Sequence, residues 1–391
     1  MISYQLTPEQ RDLRDSVAQF AHEVVAPVIG DYYERGEFPY EIVAKMGKLG
    51  LFGLPFPEEY GGMGGDYFAL CLALEELARV DSSVAITLEA GVSLGAMPIF
   101  RFGTEEQRRR WLPELCSGEK LAAFGLTEPG GGSDIPGGMR TTARLEVSPA
   151  GGGEWVIDGS KAFITNSGTS ITSLVTVTAI TGRDTGGRKE ISSIIVPNGT
   201  GGFSLGPEYS KVGWCASDTR ELSFSGCRVP GENLLGERGR GYAQFLQILD
   251  EGRVAIAALA TGLAQGCVDE CVRYAKQREA FGRRLEQHQA IAFAIADMER
   301  RVHLARLAWY HAAAMLLAGQ PVKKEAAIAK LAASDAAMDN ARAATQVFGG
   351  YGFMNETPVG RFYRDAKILE IGEGTSEVQR MLIARQLGLG T

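Results

Sequence analysis

From about residue 121 to residue 229 the chain changes texture, and that change limits what it can fold into. Glycine is frequent there, and β-branched runs at residues 154–157, 162–165, 174–180 and 191–196 alternate with Gly, Asn and Asp turns. Such runs predict the strands of an antiparallel β domain. Pro230-Gly231-Glu232 punctuates its end. On either side the signals are helical. Thr7-Pro8-Glu9-Gln10 starts a helix, with a capping threonine, proline at the first helical position and glutamine closing a capping box. Val17, Phe20, Ala21, Val24 and Val25 follow at helical spacing and end near Pro27. Further helices are predicted over 40–49, closed by Gly50, and over 67–80, with a loop at 58–65. Thr104 and Gln107 frame another helix start.

Beyond Gly241 the helical segments lengthen: 242–277, 287–317, 323–348 up to Gly349-Gly350, and a last one after Ser376. Four long helices with short links predict a bundle. The chain is therefore assigned as α+β. A helical N-terminal domain spans 1–120, a middle β domain 121–232 and a four-helix bundle 233–391.

Composition narrows the classes of function. At 391 residues there is room for two or three domains and a large core. A net charge of -7 argues against general nucleic-acid binding, and Arg108, Arg109 and Arg110 form only a short basic cluster. Six cysteines, with no C-x-x-C pair, read as small apolar residues in a reducing compartment. Cys267 and Cys271 share a helix face but lack a histidine nearby in sequence, so no metal site is expected. The start, MISYQLTPEQ, has no apolar core of a signal peptide. With no apolar run of about 18 residues suggesting a membrane span, a cytoplasmic protein without membrane contact is expected.

One stretch carries a candidate for chemistry. In YRDAKILEIGEGTSEVQR, residues 363–380, Glu373 stands between Gly372 and Gly374. Ser376 and Gln379 read as an S-x-x-Q capping box, which starts a helix just beyond the carboxylate. An acid on a tight turn suits a general base, whose pKa burial lifts towards neutrality; a solvated loop carboxylate is the alternative. Three further signals are open in the same way. FGLTEPGGGSD, residues 124–134, is either a plain glycine loop or a cradle whose free N–H groups take an anion or a polar ring edge. GSKAFITN, residues 159–166, puts Phe163 and Thr165 on one side of a strand, for core packing or for a flat heterocycle. Asp250 and Arg253, three apart on a helix, are an intrahelical pair or contacts to a ligand.

The motifs FGLTEPGGGSD, GSKAFITN, ASDTR (216–220), QREAFG (277–282), QVFGGYGF (346–353) and EGTSEVQR (373–380) occur in one order. Together they resemble the acyl-CoA dehydrogenase family, over about residues 7–387. The resemblance implies FAD held between the domains of a homotetramer, an acyl-CoA substrate and an electron-transferring flavoprotein as acceptor. By similarity Phe124, Leu126, Thr127, Gly132 and Ser133 hold the flavin ring and phosphates, with Phe163 and Thr165 against the flavin. Arg278, Phe281, His288, Gln289, Gln346, Gly349 and Gly350 complete the FAD site, Arg278 and its neighbours for the adjacent subunit. Thr375 and Glu377 match the last FAD contacts. Ser133, Asp250, Arg253 and Gly374 match residues near the CoA thioester, and Glu373 matches the catalytic base. In the family the base's backbone N–H and an FAD ribityl hydroxyl polarise the thioester oxygen. The stretch 87–94 (TLEAGVSL) is expected to shape the acyl pocket.

Two departures matter. Gly372 stands where many members have tyrosine, and Phe163 where tryptophan is common. Isovaleryl-CoA dehydrogenases share a glycine at the Gly372 position but move the base to just before the Arg253 position. That place is Gly252 here, so the base is expected to remain at Glu373. The implied activity is α,β-dehydrogenation of an acyl-CoA to a trans-2-enoyl-CoA. An acyl-CoA oxidase, an enoyl-CoA reductase and a non-catalytic acyl-CoA or flavin binding protein are the alternatives.

Overall fold

Capping chemistry starts the first helices. The fold is that of a computed structural model describing residues 5–147 and 152–390; the first four residues of the polar start lie outside the described residues. Gln10 N donates to the Thr7 hydroxyl (3.2 Å) and Thr7 N donates back to the Gln10 side chain (3.0 Å), opening α1 (Pro8–Phe20). The same exchange between Thr104 and Gln107 opens α7 (Glu105–Cys116). Between them run α2 (Ile29–Arg35), α3 (Tyr40–Lys48), α4 (Tyr67–Ala78), α5 (Ser82–Glu89) and α6 (Met97–Phe102). Every residue of α4 and α5 except Ala69 is buried, because these two helices form the centre of the N-terminal segment. The chain leaves α5 through a widened π turn, Ala90–Ala96.

The sheet follows: β1 (Leu121–Gly125), a one-turn α8 (Ile135–Gly138), β2 (Thr142–Val147), β3 (Gly153–Thr165), β4 (Thr172–Arg183), β5 (Lys189–Pro197), β6 (Phe203–Glu208), β7 (Thr219–Pro230) and β8 (Leu234–Leu235). Their order is β6-β7-β3-β2-β4-β5-β8, and β1 pairs with β4. The long ladders are antiparallel as expected, but β1 runs parallel to β4. Two of the predicted runs, 154–157 and 162–165, are halves of the single bulged strand β3. The sequence reading does not single out β2 or β7. β7 largely alternates buried with exposed residues and β2 is mostly exposed, and both mix in charged residues, so neither has a continuous β-branched run.

The C-terminal segment holds α9 (Gly241–Gln277), α10 (Gln289–Leu317), α11 (Lys323–Phe348), α12 (Pro358–Leu369) and α13 (Ser376–Gln386). Helix α9 and the stretch Ser82–Phe102 are long and apolar enough to cross a membrane, yet 89% of each apolar window is buried inside the fold. They are core helices. The fourth arm of the bundle differs from expectation, because α12 precedes the last helix. Its buried Val359, Phe362, Ala366 and Leu369 recur at helical spacing. The capping box is also corrected. Thr375, not Ser376, caps α13 by accepting from Val378 N (3.3 Å), and Gln379 turns elsewhere. All six cysteines are free, and among the described residues no cluster of His, Cys, Asp and Glu could hold a metal ion.

Candidate active site

The turn between α12 and α13 carries Glu373 in a left-handed conformation (φ 51°), followed by Gly374 at φ 93°. A non-glycine residue pays roughly 1–2 kcal/mol for that conformation, so something must hold it. Three side chains do. Ser334 of α11 donates to Leu369 O (2.8 Å) at the end of α12. One helical turn earlier, Lys330 donates to Gly374 O (2.8 Å). Gln379 of α13 donates to the same oxygen (2.8 Å) and to Glu373 O (3.3 Å).

The Glu373 side chain thereby points inwards. The residue as a whole is half-buried, but both carboxylate oxygens are shielded from solvent. The carboxylate lies on the α-carbon of Gly252 in α9, where an added Cβ would run into Oε2. Fully buried Glu89, the last residue of α5, is its other neighbour. As two carboxylates neither group has a hydrogen-bond donor. With Glu89 protonated, its O–H donates to Glu373, and burial together with the charge of Glu373 pushes Glu89 well above the usual carboxylate range. Burial lifts Glu373 to about 7, against the pull of that hydrogen bond and of the Lys330 and Arg253 cations. Asp250 and Arg253 form the intrahelical ion pair that the spacing suggested, with Arg253 buried. Glu373 N–H has no hydrogen-bond partner among the described residues.

The glycine loop after β1 is anchored by a second buried pair. Lys161 Nζ donates to Glu128 Oε1 (2.7 Å), Leu126 O (3.2 Å) and Thr178 Oγ1 (3.3 Å). Glu128 in turn accepts from Arg140 N (2.6 Å) and Thr141 N (3.1 Å). The side chains of Phe124 and Leu126 are buried, Phe124 stacking on Phe245 with centroids 5.1 Å apart. Gly132 and Ser133 are exposed at the loop tip, Thr127 is half-buried, and a Cβ on Gly132 would meet nothing nearer than 4.0 Å. Phe163 sits at φ 62° with 64% of its surface exposed, tilted against Tyr209, and Thr165 ends the same strand. An aromatic in a strained conformation held out to solvent, beside a loop of open backbone, fits a flat cofactor ring. The motif ASDTR serves the frame: Asp218 binds Arg220 (2.7 Å) and accepts from Gly168 N (2.7 Å).

A third group gathers at one end of the bundle. Arg278 lies over the Tyr351 ring, 5.9 Å from its centroid, and His288 reaches Ala280 O (3.1 Å) and the Phe281 ring. Phe281 is at φ 52° and 96% exposed. Gln289, Gln346, Gly349 and Gly350 are exposed, as is Glu377 on α13. Thr375 is committed to its cap.

Sequence reasoning passed over Lys161, Glu128 and Lys330, read Gln379 only as the end of a capping box, and met Glu89 only as one residue of a wall. A signal was present for Lys330. It lies on the stripe of α11 shared by Ala326, Ala333 and Ala337, all buried.

Comparison with known proteins agrees across the whole chain. Residues 7–119, 123–227 and 239–388 match the N-terminal, middle and C-terminal domains of acyl-CoA dehydrogenase. A short-chain specific acyl-CoA dehydrogenase of Clostridium acetobutylicum is 44% identical over 386 residues, covering 99% of this chain and 100% of the relative. The butyryl-CoA dehydrogenase structure from Megasphaera elsdenii superposes with a TM-score of 0.93 at 42% identity, covering 98% of this chain and 99% of that one. A chain from a structure of the electron transferring flavoprotein of Acidaminococcus fermentans gives 0.93 at 41% identity, again covering 98% and 99%.

Proposed function

We propose, from the premise that this chain belongs to the acyl-CoA dehydrogenase family, that Glu373 is the base of an FAD-dependent acyl-CoA dehydrogenase acting on short acyl chains. The observation that carries the assignment is the buried Glu373 carboxylate, lifted to about 7 and set beside a backbone N–H that nothing among the described residues uses. Ionised above that pH, the carboxylate takes the α-proton of the thioester. Negative charge then develops on the thioester oxygen, and the free Glu373 N–H is a donor suited to it. FAD, when bound, supplies the acceptor for the hydride leaving the β carbon, and the product is a trans-2-enoyl-CoA.

The exposed Phe163 and half-buried Thr165, with the open backbone of Thr127, Gly132 and Ser133, are the groups to hold the flavin end of the cofactor. Phe124 and Leu126 contribute through their backbone, since their side chains are buried. Arg278 offers a planar fork for pyrophosphate. With Phe281, His288, Gln289, Gln346, Gly349 and Gly350 it would serve the FAD of an adjacent subunit, while Thr375 and Glu377 border the FAD of their own. A homotetramer is supported by the apolar side chains left open on the bundle, among them Phe281, Phe293, Leu304 and Phe353. By likeness to the family, Asp250, Arg253, Ser133 and Gly374 would meet the CoA thioester. We assign electron delivery to an electron-transferring flavoprotein, and the role to fatty-acid β-oxidation in the cytoplasm. The short-chain assignment is supported by the named relatives. A Cβ at Gly372 would make only ordinary contact, 3.4 Å from Ile368 O, so a larger residue would be tolerated there, and we assign the room its absence leaves to branched chains.

The test is anaerobic titration of the purified flavoprotein with butyryl-, octanoyl-, isovaleryl- and glutaryl-CoA. Flavin bleaching greatest with butyryl-CoA is expected; no bleaching by any of the four would sink the dehydrogenase reading.

A further inference from the structure

Lys330 is the least satisfied lysine in the interior. It is fully buried, yet among the described residues its ammonium makes one hydrogen bond, to Gly374 O, and no ion pair. An ammonium carries three donors, and burying one with two unused is costly unless a charge nearby compensates. The charges it feels are those of Glu373, Arg253, Asp335 and Glu370. Asp335 is turned towards Arg380, and Glu370 accepts from Lys367 (2.6 Å). Arg253 is of the same sign and already paired with Asp250. Glu373 is the unpaired charge.

Glu373 itself is faced by Glu89 from α5, by Arg253 from α9 and by Lys330 from α11. The carboxylate next to Gly252 in sequence, Glu251, is held by Arg101 (3.0 Å). Glu89 is kept neutral by its burial and by Glu373, so it favours the ionised base through its O–H hydrogen bond, and the two cations favour it through their charge. The carbonyl held by Lys330 also closes the left-handed turn, and the neutral Gln379 holds the same oxygen. One charged and one uncharged donor thus share a single acceptor.

We propose that Lys330 is a positioning residue for the base, fixing the Gly374 carbonyl and supplying a positive charge that favours the ionised Glu373 carboxylate. The inference rests on Glu373 being the base. Lys330 acts through the turn and through its field and touches neither substrate nor cofactor.

The experiment measures kcat/KM against pH for Lys330→Met and Gln379→Leu, with Glu373→Gln in parallel and flavin content recorded for each. Removing an opposite charge shifts a carboxyl upwards by about one pH unit or more. In Lys330→Met the acid limb therefore moves to higher pH, and the ratio of kcat/KM at pH 6 to that at pH 9 falls by about tenfold. In Gln379→Leu the rate falls with the limb in place. If Lys330→Met does not fold, Lys330→Gln keeps a donor without the charge and reads the same shift. A limb unmoved in Lys330→Met or Lys330→Gln, with activity lost equally at every pH, would leave the lysine a structural strut and overturn the inference. Turnover retained in Glu373→Gln would instead overturn the base assignment itself.

Discussion

Two buried lysines each lie near a buried glutamate, and the two pairs are built in opposite ways. At the glycine loop, Lys161 spends all three donors, and Glu128 accepts from the lysine and from two backbone N–H groups. Burial works to raise the Glu128 pKa, but the Lys161 ammonium and these hydrogen bonds outweigh it and leave the carboxyl below its ordinary value. At the turn before α13, Lys330 uses one donor, and the Glu373 oxygens have no N–H donor. There burial prevails and the carboxyl rises to about 7. Both lysines are pushed down to about 8 by burial, so lysine burial does not distinguish the pairs. What differs is how fully the acid is satisfied. A saturated carboxylate is held ionised and inert, and serves as a strut. An unsaturated one stays able to take a proton, at a cost in stability that the surrounding helices carry.

The largest effect should come from breaking the saturated pair. Lys161→Met leaves Glu128 as an uncompensated buried charge and is expected to cost roughly 3–5 kcal/mol of stability. Denaturant unfolding of the flavin-free protein reads that directly. A loss under about 1 kcal/mol would mean that the pair is not a strut, and that the contrast with Lys330 is of degree only.

Next comes displacement of the unsaturated acid. Gly252→Ala puts a methyl where the Glu373 carboxylate lies. The atom met is the tip of a flexible side chain, so the fold is kept; the helix itself gains up to about 1 kcal/mol. The carboxylate must move, and a misplacement of about 1 Å can cost about 10²-fold in rate. The expected result is that kcat falls on that order while thermal stability holds or rises. Unchanged kcat would place the working carboxylate elsewhere.

Smallest is the effect at the residue before the base. Gly372→Tyr should lower kcat/KM for isovaleryl-CoA more than for pentanoyl-CoA, by about 1–3 kcal/mol in their difference. An equal fall for both would show that Gly372 sets no limit on branching.

The contrast between the two pairs also marks what could be read from sequence. Helix starts at Thr7 and Thr104 were legible because capping is local chemistry within four residues. The helix–sheet–helix order was legible because period and glycine content change together. Helix α12 passed unnoticed beside the conspicuous GEG turn, although its buried positions have helical spacing. The cap of α13 was misread by one residue. Thr375 and Ser376 are both good caps by type, and the choice between them is made by the turn that Lys330 and Gln379 hold from outside. Glu373 was legible as an acid on a turn. Of its partners only Gly252 was, as the family's alternative place for the base; Glu89 and Lys330 come from two further helices far apart in sequence. Their meeting is a product of packing, and no local pattern encodes it. Lys161 sits inside one of the motifs, yet its role depends on Glu128 in the glycine loop after β1.

The central claim is that the poorly satisfied Glu373 carboxylate removes the α-proton. Anaerobic stopped-flow mixing with butyryl-CoA tests it most directly, recording flavin bleaching for the wild type and Glu373→Gln over pH 5.5–9, a span set about the carboxyl's pKa of about 7. In the wild type the folded-state pKa is raised, so protonation disables the base as pH falls through about 7, and bleaching should slow tenfold per unit below it. Glu373→Gln should retain FAD and bind butyryl-CoA but bleach about 10²–10⁴-fold more slowly, with no acid limb. Bleaching in Glu373→Gln within a few fold of the wild type, with the same pH dependence, would contradict the account.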